Sequence, residues 1–134
     1  MVPEKKEVMF MKIKESAENY LETILMIKNK KGNVRSIDIA NELNFTKPSV
    51  SVAMKNFREE GYITVESDGN ILLTQKGLEI AERVYERHSV IAKALMALGV
   101  DEETAYEDSC KIEHDISDAS FEKIKAHYAQ HIKD

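Results

Sequence analysis

Three amphipathic stretches that end in a strong hairpin turn constrain this chain more than any other feature. From Ser16 to Lys30, apolar residues fall at Ala17, Tyr20, Leu21, Ile24, Leu25 and Ile27, the spacing of one buried helical stripe, with Gly32 as a stop. Ser36 then caps a short helical segment with Ile37, Ala40 and Leu43 inward. After a turn at Asn44-Phe45, Thr46 caps a third helix that carries Pro48 in its first turn and runs to about Glu60. Val50, Ala53, Met54 and Phe57 form its inner face, which leaves Ser49, Val52 and Asn56 outside with Lys55 beside them. Gly61 ends it. Tyr62–Glu66 and Ile71–Thr74 then read as two strands around the turn Ser67-Asp68-Gly69-Asn70.

The rest of the chain reads as helix. Thr74 caps a long segment with Leu78, Ala81, Tyr85, His88, Ala92 and Leu95 on its seam and Gly99 as terminator. Asp101 and Ser117 cap two more, the last with Phe121, Ile124, Tyr128 and Ile132 on one stripe. The expected fold is mainly α: a winged helix-turn-helix with a two-stranded wing over residues 1–74, followed by a helical domain over 75–134.

That order of elements places the third helix in a DNA major groove and the wing on the flanking backbone. Thr46, Lys47, Pro48 and Ser49 at its start suit phosphate contact, whereas Ser51 and Val52 are short enough to approach base edges and thymine methyls. Lys55 acts as a longer point charge, and Arg35 and Ser36 at the start of the short helix complete the candidate DNA-contacting set. Ser and Thr at helix starts also serve as plain caps, so the inference rests on the whole unit.

Charge and composition narrow the compartment and the partners. The 134 residues carry a net charge of −5, which argues against an unspecialised polyanion binder. The charge is uneven: eleven Lys and Arg face nine Asp and Glu in residues 1–60, but eight face fifteen in 61–134. One cysteine can make no internal disulfide, as expected of a cytoplasmic protein. The apolar run Val8-Met9-Phe10-Met11 is too short for a signal peptide, and no stretch approaches the roughly 20 apolar residues of a membrane span.

Cys110, Glu113 and His114 fall at i, i+3 and i+4, so one helical face presents a thiolate, a carboxylate and an imidazole. Glu22 lies in register with the buried stripe of the first helix, and His88 interrupts the apolar seam of the long one. A lone cysteine is more often a small core hydrophobe and a lone seam histidine a hydrogen-bonded core residue. Two His, two Glu and one Cys facing inward together are costly to bury without a compensating cation. His127, His131, Glu102-Glu103, Asp115 and Asp118 read as solvated surface.

With these pieces in place the chain resembles the iron- and manganese-dependent repressors of the diphtheria toxin repressor and manganese transport regulator family, over about residues 16–132. The resemblance is carried by Ala17-Glu18-Asn19-Tyr20-Leu21-Glu22-Thr23-Ile24, Thr46-Lys47-Pro48-Ser49-Val50-Ser51, Arg87-His88, and Cys110-Lys111-Ile112-Glu113-His114 followed by Ser117-Asp118. It implies a homodimer held by the later helices, and a divalent metal that favours binding to a palindromic operator on double-stranded DNA. It implies metal ligands at Asn19, Glu22, His88, Cys110, Glu113 and His114. Cys110 is like the iron branch and Glu22 like the manganese branch, while Asn19 replaces the Met or Asp of either. Ala92 and Tyr106 stand where an ancillary iron site would supply Glu and His, so that second site is expected to be missing, as is a third, SH3-like domain.

The expectation is a cytoplasmic, metal-responsive repressor with no catalytic step, no membrane and no organic substrate. The thiolate favours Fe(II), with Mn(II) next. Two alternatives stand beside it: a metal-independent winged-helix regulator with an ordinary core around Cys110 and His88, and a small non-haem metalloenzyme. No separate acid, base or substrate loop supports the enzyme.

Overall fold

The computed structural model describes residues 5–131, with side chains from residue 16 onward. Its elements follow the order α1 (Lys5–Lys31), α2 (Ser36–Leu43), α3 (Lys47–Glu59), β1 (Ile63–Val65), β2 (Ile71–Leu73), α4 (Gln75–Ala97), α5 (Glu102–Asp115) and α6 (Asp118–His131). This is the expected mainly helical winged helix-turn-helix followed by helices. The chain forms two compact units, Met1–Glu82 and Arg83–Asp134.

In the first unit, α1, α2 and α3 and the base of the wing enclose one core. Leu21, Ile24, Val34, Ile39, Val50, Ile63, Ile71 and Ala81 are almost wholly buried in it. Four aromatic rings run edge to face beside this core: Phe45 on Tyr20 at 5.6 Å, Tyr20 on Phe57 at 5.7 Å and Phe57 on Tyr62 at 6.2 Å between centroids. They tie the helix-turn-helix corner to α1 and to the foot of the wing. Asn44 turns that corner in the left-handed region, at φ 57°, a conformation Asn tolerates.

The wing pairs antiparallel in the register Ile63↔Leu73, Thr64↔Leu72 and Val65↔Ile71. Gly69 takes φ 90° at its tip, and Asn70 N–H donates to Asp68 Oδ1 at 3.0 Å, closing the turn with a local side-chain bond. Val34, just before α2, pairs with the wing as a third short partner. Its carbonyl accepts from Ile71 N–H at 2.7 Å, and its N–H donates to Asn70 Oδ1 at 2.9 Å.

Several sequence expectations need correction. Helix α1 begins at Lys5 and not at Ser16, because Lys5–Glu15 contains no Gly or Pro to stop it. Ser36 is the first residue of α2 and not its cap. Arg35 takes the cap position, and its N–H donates to Asp38 Oδ2 at 2.9 Å, so the capping oxygen comes from inside the helix. Ile39 and Ala40 lie in the core, whereas Ile37, about 200° around the helix from Ile39, is exposed. On α4 the seam runs through Ala81, Val84, Ile91 and Ala92, whereas Tyr85 is exposed. Thr46, Asp101 and Ser117 cap as expected, accepting from Ser49, Thr104 and Ser120 N–H. Ile132 lies outside the described residues, as do the side chains of Val8–Met11.

In the second unit Phe121 on α6 is buried with Ala105 and Ser109 of α5. The buried Arg87 fastens the start of α6. Its guanidinium donates to Asp118 Oδ1 at 3.0 Å and to the Ile116 carbonyl, and it lies 5.3 Å from the centre of the Phe121 ring. Asp118 is therefore more than the solvated charge its sequence context suggested. Among the described residues, no helix is long and apolar enough to cross a membrane.

Candidate nucleic-acid interface and metal centre

Helix α3 separates its two jobs by face. Val50, Met54 and Phe57 are buried, while Thr46, Lys47, Pro48, Ser49, Ser51, Val52, Lys55 and Asn56 are exposed. Thr46 Oγ1 caps the helix through Ser49 N–H at 3.3 Å and donates to Ser49 Oγ at 2.8 Å. Val52 is 61% exposed, an apolar tip at the middle of a face that is otherwise polar or short.

Arg35 and Ser36 are placed differently. Ser36 is half-buried in the first turn of α2. The Arg35 guanidinium reaches the wing, with Nε donating to the Asp68 carbonyl at 3.2 Å and a terminal nitrogen 3.8 Å from Asp68 Oδ2. It thus bridges the start of the helix-turn-helix to the wing tip while staying half-exposed. The Asp38 pKa is lowered by the Lys31 ammonium, which bonds it at 2.7 Å, and by the Arg35 N–H. Sequence reasoning overlooked Asp68, Asn70 and Val34 as parts that set the wing. Asp68 and Asn70 were visible as turn residues, but their long-range partners were not.

The second unit gathers the metal-like side chains. Ligand atoms of Cys110, Glu113 and His114 on α5 all lie within 4.8 Å of one another. Glu113 is 4% exposed, with His114 Nε2 3.6 Å from Oε1 on one side and His88 Nδ1 4.0 Å from Oε2 on the other. His88 Nε2 lies 3.1 Å from the Tyr106 carbonyl oxygen. Because a carbonyl only accepts, that bond assigns the proton to Nε2 and turns the Nδ1 lone pair toward Glu113. Such an outer bond is how proteins orient a ligating imidazole. The Tyr106 ring adds an edge contact to His88 at 5.6 Å. A thiolate, a buried carboxylate and an imidazole within reach of one another, with a second imidazole on the far oxygen of that carboxylate, are donor types that suit a divalent transition metal.

Asn19 and Glu22 lie one turn apart on α1 of the first unit, Glu22 buried and Asn19 half-buried. Ala92 is buried and has no donor atom, and Tyr106 contributes its backbone carbonyl to His88. The carbonyl's role could not be read from residue types, since every residue carries one.

Residues 12–71 match the profile described as iron dependent repressor, N-terminal DNA binding domain. Residues 74–133 match iron dependent repressor, metal binding and dimerisation domain. The chain is 37% identical over 113 residues to an uncharacterised HTH-type transcriptional regulator of Methanocaldococcus jannaschii, covering 83% of this chain and 90% of that protein. It is 36% identical over 109 residues to the HTH-type transcriptional regulator MntR of Bacillus subtilis, covering 81% and 77%. Among solved structures, the manganese regulator SloR superposes with a TM-score of 0.73 at 25% identity, covering 84% of this chain and 53% of its own. IdeR of T. acidophilum has the same fold, with a TM-score of 0.74 at 24% identity. The chain spans about half the length of these two solved proteins.

Proposed function

The chain belongs to the iron-dependent repressor family of metal-dependent transcriptional regulators, and from that premise we propose that its homodimer binds a palindromic operator in the cytoplasm when a divalent metal is bound. The observation that carries this reading is the buried Glu113 carboxylate between two imidazoles and near a thiolate, in a chain that also presents an exposed α3 face. Cys110, Glu113, His114 and His88 hold the ion, and Asn19 and Glu22 are the donors contributed by α1. The ion supplies positive charge to a group of donors that is otherwise costly to bury. The domain division proposed for this activity lies at Thr74, with residues 1–74 reading DNA and 75–134 binding metal and dimerising.

The chain's own residues divide the remaining work. Lys47 and Lys55 place charge near phosphates, Thr46 and Ser49 fix the start of α3, and Ser51 and Val52 face the bases. Arg35 and Ser36 extend that contact beside the wing. Control follows from linkage: an ion that binds the DNA-competent arrangement more tightly raises operator affinity by that difference.

Fe(II) ranks first because Cys110 offers a soft sulfur donor. Mn(II) ranks second, and the specific support for it is the 25% identity to a protein described as a manganese regulator. Anaerobic operator-binding titrations with Fe(II) and Mn(II) test both readings. Metal should raise affinity in the wild type, and Glu113→Ala or His114→Ala should remove at least about tenfold of that gain while leaving the protein folded. Operator binding that ignores a chelator would overturn the reading in favour of a metal-independent regulator.

A further inference from the structure

We propose that His127 and His131 on α6 form a second metal site, a two-imidazole clip for late first-row divalent cations such as Ni(II), Cu(II) and Zn(II). The two residues are four apart on one helix, so their side chains rise from the same face one turn apart. Their ring centroids are 4.5 Å apart with the planes inclined at 40°. Both side chains are exposed, so an ion reaches them without opening the core and water fills its remaining positions.

The electrostatic setting favours a cation. His131 lies in the last turn of α6, where carbonyls without helical partners give the helix end a negative character. Lys125, one of the nearby cations, is turned to Glu86, 2.6 Å away. Lys123 lies one turn before His127 and is exposed, with a flexible stem that lets its ammonium swing into solvent.

The donor set also sets the choice of ion. Among the described residues the pair offers two imidazole nitrogens, a donor type that suits Ni(II), Cu(II) and Zn(II), whereas Mn(II) stands lowest in the affinity order and prefers oxygen. This clip therefore selects against the ion that an oxygen-rich centre favours. It stands on α6 geometry alone and does not depend on the reading of Cys110, Glu113 and His114.

The test uses the full chain with Ni(II) and Mn(II) as probes. Calorimetric titration of wild type, His127→Asn and His131→Asn should show one more Ni(II) per wild-type chain than either variant binds at the same concentrations. Each single change should weaken that extra ion by at least about tenfold, since chelation makes the second donor intramolecular. Ni(II) should also slow amide exchange over residues 123–131 in the wild type alone, while Mn(II) uptake stays equal in all three proteins. Equal Ni(II) uptake in the three proteins overturns the proposal, and so does a variant that keeps the extra ion with less than a tenfold loss.

Discussion

In the proposed centre, Cys110 is the side chain on which metal choice would turn. It supplies the one sulfur of the proposed centre, beside the Glu113 carboxylate and the His114 imidazole. Replacing it by a hard oxygen donor in Cys110→Glu should move the preference from Fe(II) or Co(II) toward Mn(II). Metal-dependent operator binding measured with each ion checks this, and an unchanged ranking would make Cys110 a core residue. On α3 the same division between charge and shape applies. Lys47→Ala should weaken binding to every sequence alike and lower the salt slope by about one unit. Val52→Ser should instead relax preference at a single operator position by about 1 kcal/mol, because its exposed methyls suit a thymine methyl and offer no hydrogen bond. Binding-site selection on the two variants separates these roles. A Val52→Ser profile identical to wild type removes the base contact.

Helix ends and close approaches decide how the pieces meet. Gly77 in the first turn of α4 is buried where a methyl group would stand 2.1 Å from the Tyr62 carbonyl oxygen. Backbone on both sides leaves little room to yield, so Gly77→Ala should cost roughly 1–3 kcal/mol in denaturant unfolding, as overpacking does. Asp38 gives the start of α2 a pH dependence. Its folded pKa is depressed, chiefly by Lys31 and then by the Arg35 N–H, so its contribution is present above the ordinary carboxylate value of about 4. It is lost as pH falls through the lower folded value. The Tm gap between wild type and Asp38→Asn should therefore close on acidification below about pH 4. The helix and hairpin order was legible because periodicity, caps and turn residues are local signals. The faces of α2 and α4 were not, because which side of a helix meets the core is settled by the elements packed against it, as the exposed Ile37 and Tyr85 show. At the metal centre the i, i+3, i+4 spacing exposed Cys110, Glu113 and His114 at once. The Tyr106 carbonyl that orients His88 belongs to the backbone of another helix, and residue identity says nothing of it.

The two families of elements carry opposite charge, a slight excess of base in residues 1–60 and a marked excess of acid beyond, which suits one end to polyanions and the other to cations. The proposed homodimer would present two copies of α3, so operator half-sites should be spaced by whole helical turns of about 10–10.5 base pairs. Inserting five base pairs between the half-sites should abolish cooperative binding in a gel-shift titration. Within each copy, Val34 fastens the segment before α2 to the wing through one backbone bond, its carbonyl accepting from Ile71 N–H, and through its own N–H donating to the Asn70 side-chain oxygen. These bonds link helix-turn-helix to wing, so in the proposed dimer a regulatory ion would act on how two such units are placed and not on the link within each. The proposed repressor would then work as a pair of calipers, whose jaws keep their shape while their gap is set.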